Sequence, residues 1–291
     1  MILIGDSGST KTDWCIAKEG KSLGRFQTSG INPFQQDRNE IDTALRSEVL
    51  PAIGQKASSI RAVYFYGAGC TPAKAPMLNE ALDSMLPHCD RIEVAGDMLG
   101  AARALCGDSE GIACILGTGS NSCLFDGREI KANVSPLGYI LGDEGSGAVL
   151  GRLFIGSLLK GQMPEGLCEA FLQEYGLTSA DIIESVYRKP FPNRFLAGFS
   201  PFIAQHLDIP AVYSLVQNSF DDFLVRNVLR YNRPDLPLHF IGSVAFHYRE
   251  VLSSVIKKRG LTLGSVLQSP MEGLIQYHHN NHVLEHHHHH H

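Results

Sequence analysis

GDSGSTKTDW, residues 5–14, sits between two strand-like runs, Ile2-Leu3-Ile4 before it and the alternating DWCIAKE that begins at Asp13. Apolar patterning on both sides of a glycine- and serine-rich turn predicts a β-hairpin. The stretch comes close to the phosphate-loop pattern G-x-x-x-x-G-K-[ST], but Thr10 stands where the second glycine is required. A phosphate loop also leads into a helix, whereas TDWCIA has the alternation and the β-branched and aromatic content of a strand. What remains is a tight hairpin whose glycines, Gly8 among them, let backbone N–H groups approach an anion, with Ser9, Thr10 and Lys11 as further donors. A glycine-rich turn with a solvated lysine is the plainer alternative. Asp6, ending the first strand, is suitably placed to hold hydrated Mg²⁺.

The arrangement recurs. A buried run, Ile112 to Leu116, leads into GTGSNSC, where Gly117, Thr118, Gly119, Ser120 and Asn121 supply the same donor-rich chemistry. Two such loops could grip one polyphosphate, and the recurrence reads as an internal duplication of a hairpin unit.

Three further segments carry candidate chemistry. In IEVAGDMLGAARA a strand delivers Asp97 to the start of a helix. A carboxylate there could take the proton of a poorly nucleophilic hydroxyl, and helix N-capping is the alternative. GYILGDEGSG, residues 138–147, sets Asp143 and Glu144 among four glycines at the start of a long helical region. The helix N-terminus there would favour an anionic or strongly polar ligand, with acidic capping as the alternative. Gly242 and Ser243, after LHFI, form a small-residue strand-to-helix turn against which a flat adenine ring could lie, or a simple packing glycine.

Around these motifs the first half alternates strands with helices, the latter over 38–50, 74–85 and from Asp97 onward. Residues 145–230 read as successive helices, one of them starting at Thr178 and Ser179 before Asp181, followed by a strand, a helix over 244–258, and a last strand and helix. The 291 residues accommodate two lobes, whose boundary falls near residues 106–110 and divides the chain into 1–108 and 109–283. Residues 284–291 read as an expression tag.

The formal net charge is −5, of which Glu285 in the tag supplies one, and no Lys/Arg-rich block is present. This balance speaks against nucleic acid or a membrane surface as the main partner, so any phosphate site must be built locally. No apolar run is long enough to span a bilayer, and the first ten residues lack the basic and apolar regions of a leader. The seven cysteines are widely spaced without a C-x-x-C pair, which suggests reduced core thiols in a cytoplasmic protein.

In their order along the chain, GDSGSTKTDW, AGDMLGAARA, GTGSNS and GYILGDEGSG resemble the motifs of the N-acetylglucosamine kinases and the related BadF/BadG/BcrA/BcrD-type ATPases, within the actin–hexokinase–heat-shock-chaperone superfamily. The resemblance implies an α/β protein of two ribonuclease-H-like (actin-like ATPase) lobes with an inter-lobe cleft. It implies ATP and Mg²⁺ as cofactors and transfer of the γ-phosphoryl group to the 6-hydroxyl of an amino sugar, most naturally N-acetylglucosamine. By the same resemblance Gly8, Ser9, Thr10 and Lys11 form the first phosphate loop and Gly117, Thr118, Gly119 and Ser120 the second. Asp6 organises the metal and Asp97 is the catalytic base; Asn32, Thr118, Asn121 and Asp143 contact the sugar; Gly242 and Ser243 form the adenosine loop. A homodimer is also implied. Ser7 stands where many relatives have glycine, and Met98-Leu99 where an alanine-rich step is usual. A partner-driving ATPase of the BadF type and a catalytically silent sugar or nucleotide sensor are the alternatives. The former holds an iron–sulfur cluster through cysteines, for which no spacing here is suitable.

Overall fold

The computed structural model describes residues 1–289, so the last two residues of the tag at 284–291 lie outside the described chain. Contacts divide it into two units, Met1–Ser109 together with the chain from Pro270, and Glu110–Ser269.

The first unit is built on five strands: β1 (Ile2–Ser7), β2 (Lys11–Lys18), β3 (Lys21–Ser29), β4 (Ala62–Gly67) and β5 (Arg91–Ala95). Their order is β3-β2-β1-β4-β5, antiparallel from β3 to β1 and parallel from β1 to β5. TDWCIA is strand, as its alternation predicts. Because β1 is central, its successive residues serve opposite faces. Leu3 packs in one cluster with Trp14, Ile16, Val63 and Phe65, whereas Ile4 joins Cys15, Ala17, Tyr64 and Tyr66 on the other side. Each large apolar side chain so buried stabilises the fold by about 1.5–3 kcal/mol. Gly5 is required between them, since a Cβ there would lie 2.8 Å from atoms of both the Phe65 and Trp14 rings. Trp14 is fully buried and donates its indole N–H to Thr28 Oγ1 at 2.9 Å.

The last helix, Met271–His289, differs from the expected division at 109–283 by belonging to the first unit. The reason is apolar: Met271, Leu274 and Ile275 complete the cluster around Ile4 and Tyr64. Helical structure after 38–50 also runs further than expected, through Ser59, with a π turn at Leu45–Val49 and a 3₁₀ turn at Gly54–Ser59.

The second unit repeats the sheet. β6 (Gly111–Leu116), β7 (Ser120–Phe125), β8 (Ile130–Ala132), β9 (Leu238–Ile241) and β10 (Leu263–Leu267) are ordered β8-β7-β6-β9-β10, with the same parallel and antiparallel pairings. The hairpin duplication seen in sequence thus extends to the entire sheet. Between β8 and β9 the helical region includes Gly147–Leu159, Leu167–Tyr175, Ser179–Tyr187, Pro192–Ala197, Ser200–Gln205 and Pro210–Arg226. Thr178 and Asp181 form a reciprocal capping box at the expected helix start. Phe154, Phe171, Phe199 and Phe202 form the aromatic centre of this region, with Phe171 edge-on to Phe202 at 5.1 Å.

Candidate functional site

In the first unit the parallel strands β1, β4 and β5 present their C-terminal ends together, which is where open α/β sheets commonly bind ligands. Asp6 leaves β1 here, and Asp97 begins the helix Asp97–Cys106 that follows β5. Gly96, not Asp97, occupies the N-cap position. Backbone N–H groups of Met98 and Asp97 itself favour the Asp97 carboxylate form, but burial outweighs them and raises its pKa. Asp6 is pushed up to about 7, first by burial and then by the charges of Asp13 and Asp97. Such a group of carboxylates holds protons unusually well until a cation neutralises it.

The hairpin tip, Gly8 to Lys11, is exposed. Gly8 N–H is not available to an anion as the sequence suggested: it closes the turn by donating to the Lys11 carbonyl at 2.8 Å. Thr10 N–H and the Lys11 ammonium make no hydrogen bond within the described chain and remain as donors. Ser7, the departure from the family pattern, acts as a staple. Its Oγ donates to the Ile31 carbonyl at 2.9 Å, accepts from the Ile31 N–H at 3.0 Å and lies 3.0 Å from Thr12 Oγ1. Gly30, whose N–H donates to the Thr10 carbonyl, packs directly on the hairpin tip. Asn32 is thereby brought beside it.

Asn32 Oδ1 accepts from the N–H groups of Phe34 and Gln35 at 2.9 and 3.2 Å, leaving Nδ2 without a partner in the described chain. Gly69 (φ 79°) makes room for this arrangement, because a Cβ there would coincide with Asn32 Oδ1. Gly67, Gly69 and the buried Cys70, all within YGAGC at the end of β4, were not singled out from sequence. The signal was a strand ending in two closely spaced glycines, the same punctuation that marks the other loops.

In the second unit the 117–120 loop is tied to the segment at 142–148. Gly117 N–H donates to the Gly119 carbonyl at 2.9 Å, and Ser120 N–H to the Asp143 carboxylate. The N–H groups of Thr118 and Gly119 make no hydrogen bond within the described chain, which leaves two adjacent backbone donors suited to an anion. Asp143 holds a left-handed backbone (φ 49°), a conformation that costs a non-glycine residue on the order of 1 kcal/mol. Burial, followed by the charge of Glu144, pushes its carboxyl up to about 6 despite the Ser120 bond.

Two expectations for this segment are corrected. The N-terminus of Gly147–Leu159 is not a ligand site, because Gly147 and Ala148 donate to the Gly117 and Thr118 carbonyls at 2.7 and 3.1 Å. Ser146, not Asp143 or Glu144, caps the helix by accepting from Val149 N–H at 3.2 Å. Glu144 is instead a buried anchor, 2.7 Å from Arg226 and accepting from Asn227 Nδ2 at 3.0 Å.

Asn121 lies on β7 with its Oδ1 accepting from Ser122 N–H and Asn133 Nδ2, both at 2.9 Å. Gly242 (φ 122°) precedes the helix Ser243–His247 and leaves no room for a side chain, since a Cβ would run into the Leu116 carbonyl. The turn before Ser243 therefore lies directly on the backbone entering the 117–120 loop. Among the described residues no three or more His, Cys, Asp or Glu side chains are grouped to hold a metal ion. Magnesium at phosphate sites needs only one or two carboxylates besides water and phosphate, so Asp6 fits that use. No described helix is long and apolar enough to cross a membrane.

Two ribonuclease-H-like units of this topology define the fold shared by actin-like ATPases and sugar kinases. No protein-family model matches the chain, and neither does any curated protein sequence. Among solved structures, the chain is similar to a candidate N-acetylglucosamine kinase from Chromobacterium violaceum, at 21% identity and a TM-score of 0.72, over 95% of this chain and 98% of that one. A ROK family glucokinase from Streptomyces griseus, solved with glucose and AMPPNP, matches at 14% identity and a TM-score of 0.52, over 95% and 97%. MamK bound to AMPPNP matches at 13% and 0.50, over 94% and 96%. The fold implied by the sequence motifs is the fold found.

Proposed function

We propose that this protein is an ATP-dependent sugar kinase that transfers the γ-phosphoryl group of MgATP to the 6-hydroxyl of an amino sugar, with N-acetylglucosamine as the preferred acceptor. The observation that carries the proposal is an asymmetry between two otherwise equivalent sheets. Each has a donor-bearing hairpin loop, Thr10 and Lys11 in one and Thr118 and Gly119 in the other, but the helix after the fifth strand begins differently. After β5 it begins with Asp97, a half-buried carboxylate of raised pKa, whereas after β10 the chain runs through Pro270 into Met271. A duplicated scaffold explains both loops; it does not explain a carboxylate at the first position of only one of the two helices.

In this reading the loop donors bind and orient the phosphates. Asp6 holds Mg²⁺, which when bound neutralises charge on the phosphates. Asp97 accepts the proton of the attacking hydroxyl, its raised pKa making it a stronger base than an exposed aspartate. Asn32, through Nδ2, and Asp143 orient the sugar, with Thr118 and Asn121 beside them, while Gly242 and Ser243 accommodate the adenosine.

A coupled ADP-release assay with MgATP and a panel of N-acetylglucosamine, glucosamine, N-acetylmannosamine and glucose tests the proposal. Release that depends on one sugar, with a phosphosugar product by mass spectrometry, supports it and names the acceptor. Sugar-independent release points to a partner-driving ATPase, and no release with any sugar removes the kinase reading for this panel.

A further inference from the structure

Behind Asp97 the first unit contains a buried polar chain that phosphoryl transfer does not itself use. Arg103 lies on the helix that Asp97 begins, and its Nη1 donates to Tyr66 Oη and to Glu93 Oε1, each at 2.8 Å. The Tyr66 hydroxyl, whose oxygen accepts from Arg103, shares a second hydrogen bond with His278 Nε2 at 2.7 Å, its direction following the imidazole tautomer. His278 stacks on Tyr64 with ring centroids 3.6 Å apart, and the Arg103 guanidinium lies 5.0 Å from the Tyr277 ring centroid. Tyr66 and His278 are only 1% and 5% exposed.

This chain reaches the candidate site through Tyr66 in two ways. In the sheet Tyr66 is the direct ladder partner of Asp6. Its ring also packs on Gly100, where a Cβ would lie 2.8 Å from the ring, so Tyr66 touches the Asp97 helix in its first turn and holds Arg103 further along. The helix is thus fixed at two points against rotation and sliding. A helix held only by apolar packing would lack this directional restraint, because hydrophobic contact is not directional.

We propose that Tyr66 and Arg103 are positioning residues for Asp97, holding its helix so that the carboxylate meets the acceptor hydroxyl. The inference rests on the kinase reading above. A displacement of about 1 Å at a reacting group can cost about 10²-fold in rate, so loss of the restraint shows in turnover before it shows in binding.

Tyr66→Phe tests this, since it keeps the ring on Gly100 and removes only the hydroxyl. Its kcat should fall at least about tenfold, with KM for sugar and for MgATP within about twofold of wild type and the protein still folded. Arg103→Lys should give the same split, because the shorter lysine side chain ends one bond before the position of Nη1, the one atom that donates to both Tyr66 and Glu93. Hydrogen exchange without substrates should be faster across residues 98–101 in both variants. Wild-type kcat in Tyr66→Phe, or a loss in kcat no greater than the loss of folded protein, overturns the inference and leaves the kinase reading standing. Absence of sugar-dependent turnover in the wild-type protein overturns the kinase reading, and the positioning role with it.

Discussion

Asp6 and Asp13 face each other across the β1–β2 ladder as direct antiparallel partners, so two carboxylates share one face of the sheet at the C-terminal end of β1, near Asp97. Asp6 is raised from 3.8 to about 7, so the folded state binds its proton more tightly than the unfolded chain does. Its contribution to stability is therefore fully present below about pH 4 and lost as pH rises through 7. Asp6→Asn should stabilise the ligand-free protein at pH 8 by on the order of 1–2 kcal/mol and have little effect at pH 4. Urea denaturation at the two pH values measures this; destabilisation at pH 8 would contradict a carboxylate disfavoured first by burial and then by the charges of Asp13 and Asp97. The same variant should weaken magnesium-dependent turnover.

Asp97→Asn keeps the side chain's shape but removes the proposed base. Turnover should drop by about 10²–10⁴-fold while nucleotide and sugar affinities stay near wild type. Steady-state kinetics alongside isothermal titration calorimetry separate the two quantities, and undiminished kcat would remove Asp97 from the base role.

Gly69→Ala places a methyl group where Asn32 Oδ1 lies, at a residue with φ 79°. Strain and displacement together should cost about 1–3 kcal/mol of stability. Because Asn32 is displaced, KM for the sugar should rise more than KM for ATP. An equal rise in both would separate Asn32 from sugar recognition.

Glu144→Gln leaves Arg226 without its 2.7 Å ion-pair partner while preserving an acceptor for Asn227. Arg226 is more than half exposed, so solvent limits the cost to about 1–2 kcal/mol. Loss of the Glu144 charge should also lower the Asp143 carboxyl slightly from about 6, because burial, the larger cause, is unchanged. Carbon NMR of the Asp143 carboxyl through a pH titration reports that shift.

The fold was legible because each sheet announces itself with the same signal. Ile2-Leu3-Ile4 and Ile112 to Leu116 are short apolar runs that stop at glycine, and each is followed by an alternating strand. Asp97 and the two hairpin loops stand out for the same local reason. The YGAGC glycines were passed over because their importance depends on distant residues, Ser7 beside Gly67 and Asn32, 37 residues away, beside Gly69. Glu144 and Asp143 looked like one acidic pair, yet burial against Arg226 and Asn227 makes the first an anchor and contact with Ser120 makes the second part of a loop.

Local chemistry therefore determined, from sequence alone, the strand and turn pattern and the duplicated hairpin, and it placed Asp97 at the start of a helix, because these depend on residues close together along the chain. Tertiary structure alone decided which donors and acceptors remain unspent: Gly8 N–H, the N–H groups of Gly147 and Ala148 and the acceptor Asn121 Oδ1 are already satisfied, whereas Thr118 and Gly119 N–H are not. It also decided that the last helix joins the first unit and that His278 closes a buried chain through Tyr66 to Arg103. The physical reason is the same throughout. A residue type states which hydrogen bonds and charges are on offer, but only the packed chain shows which of them have found a partner.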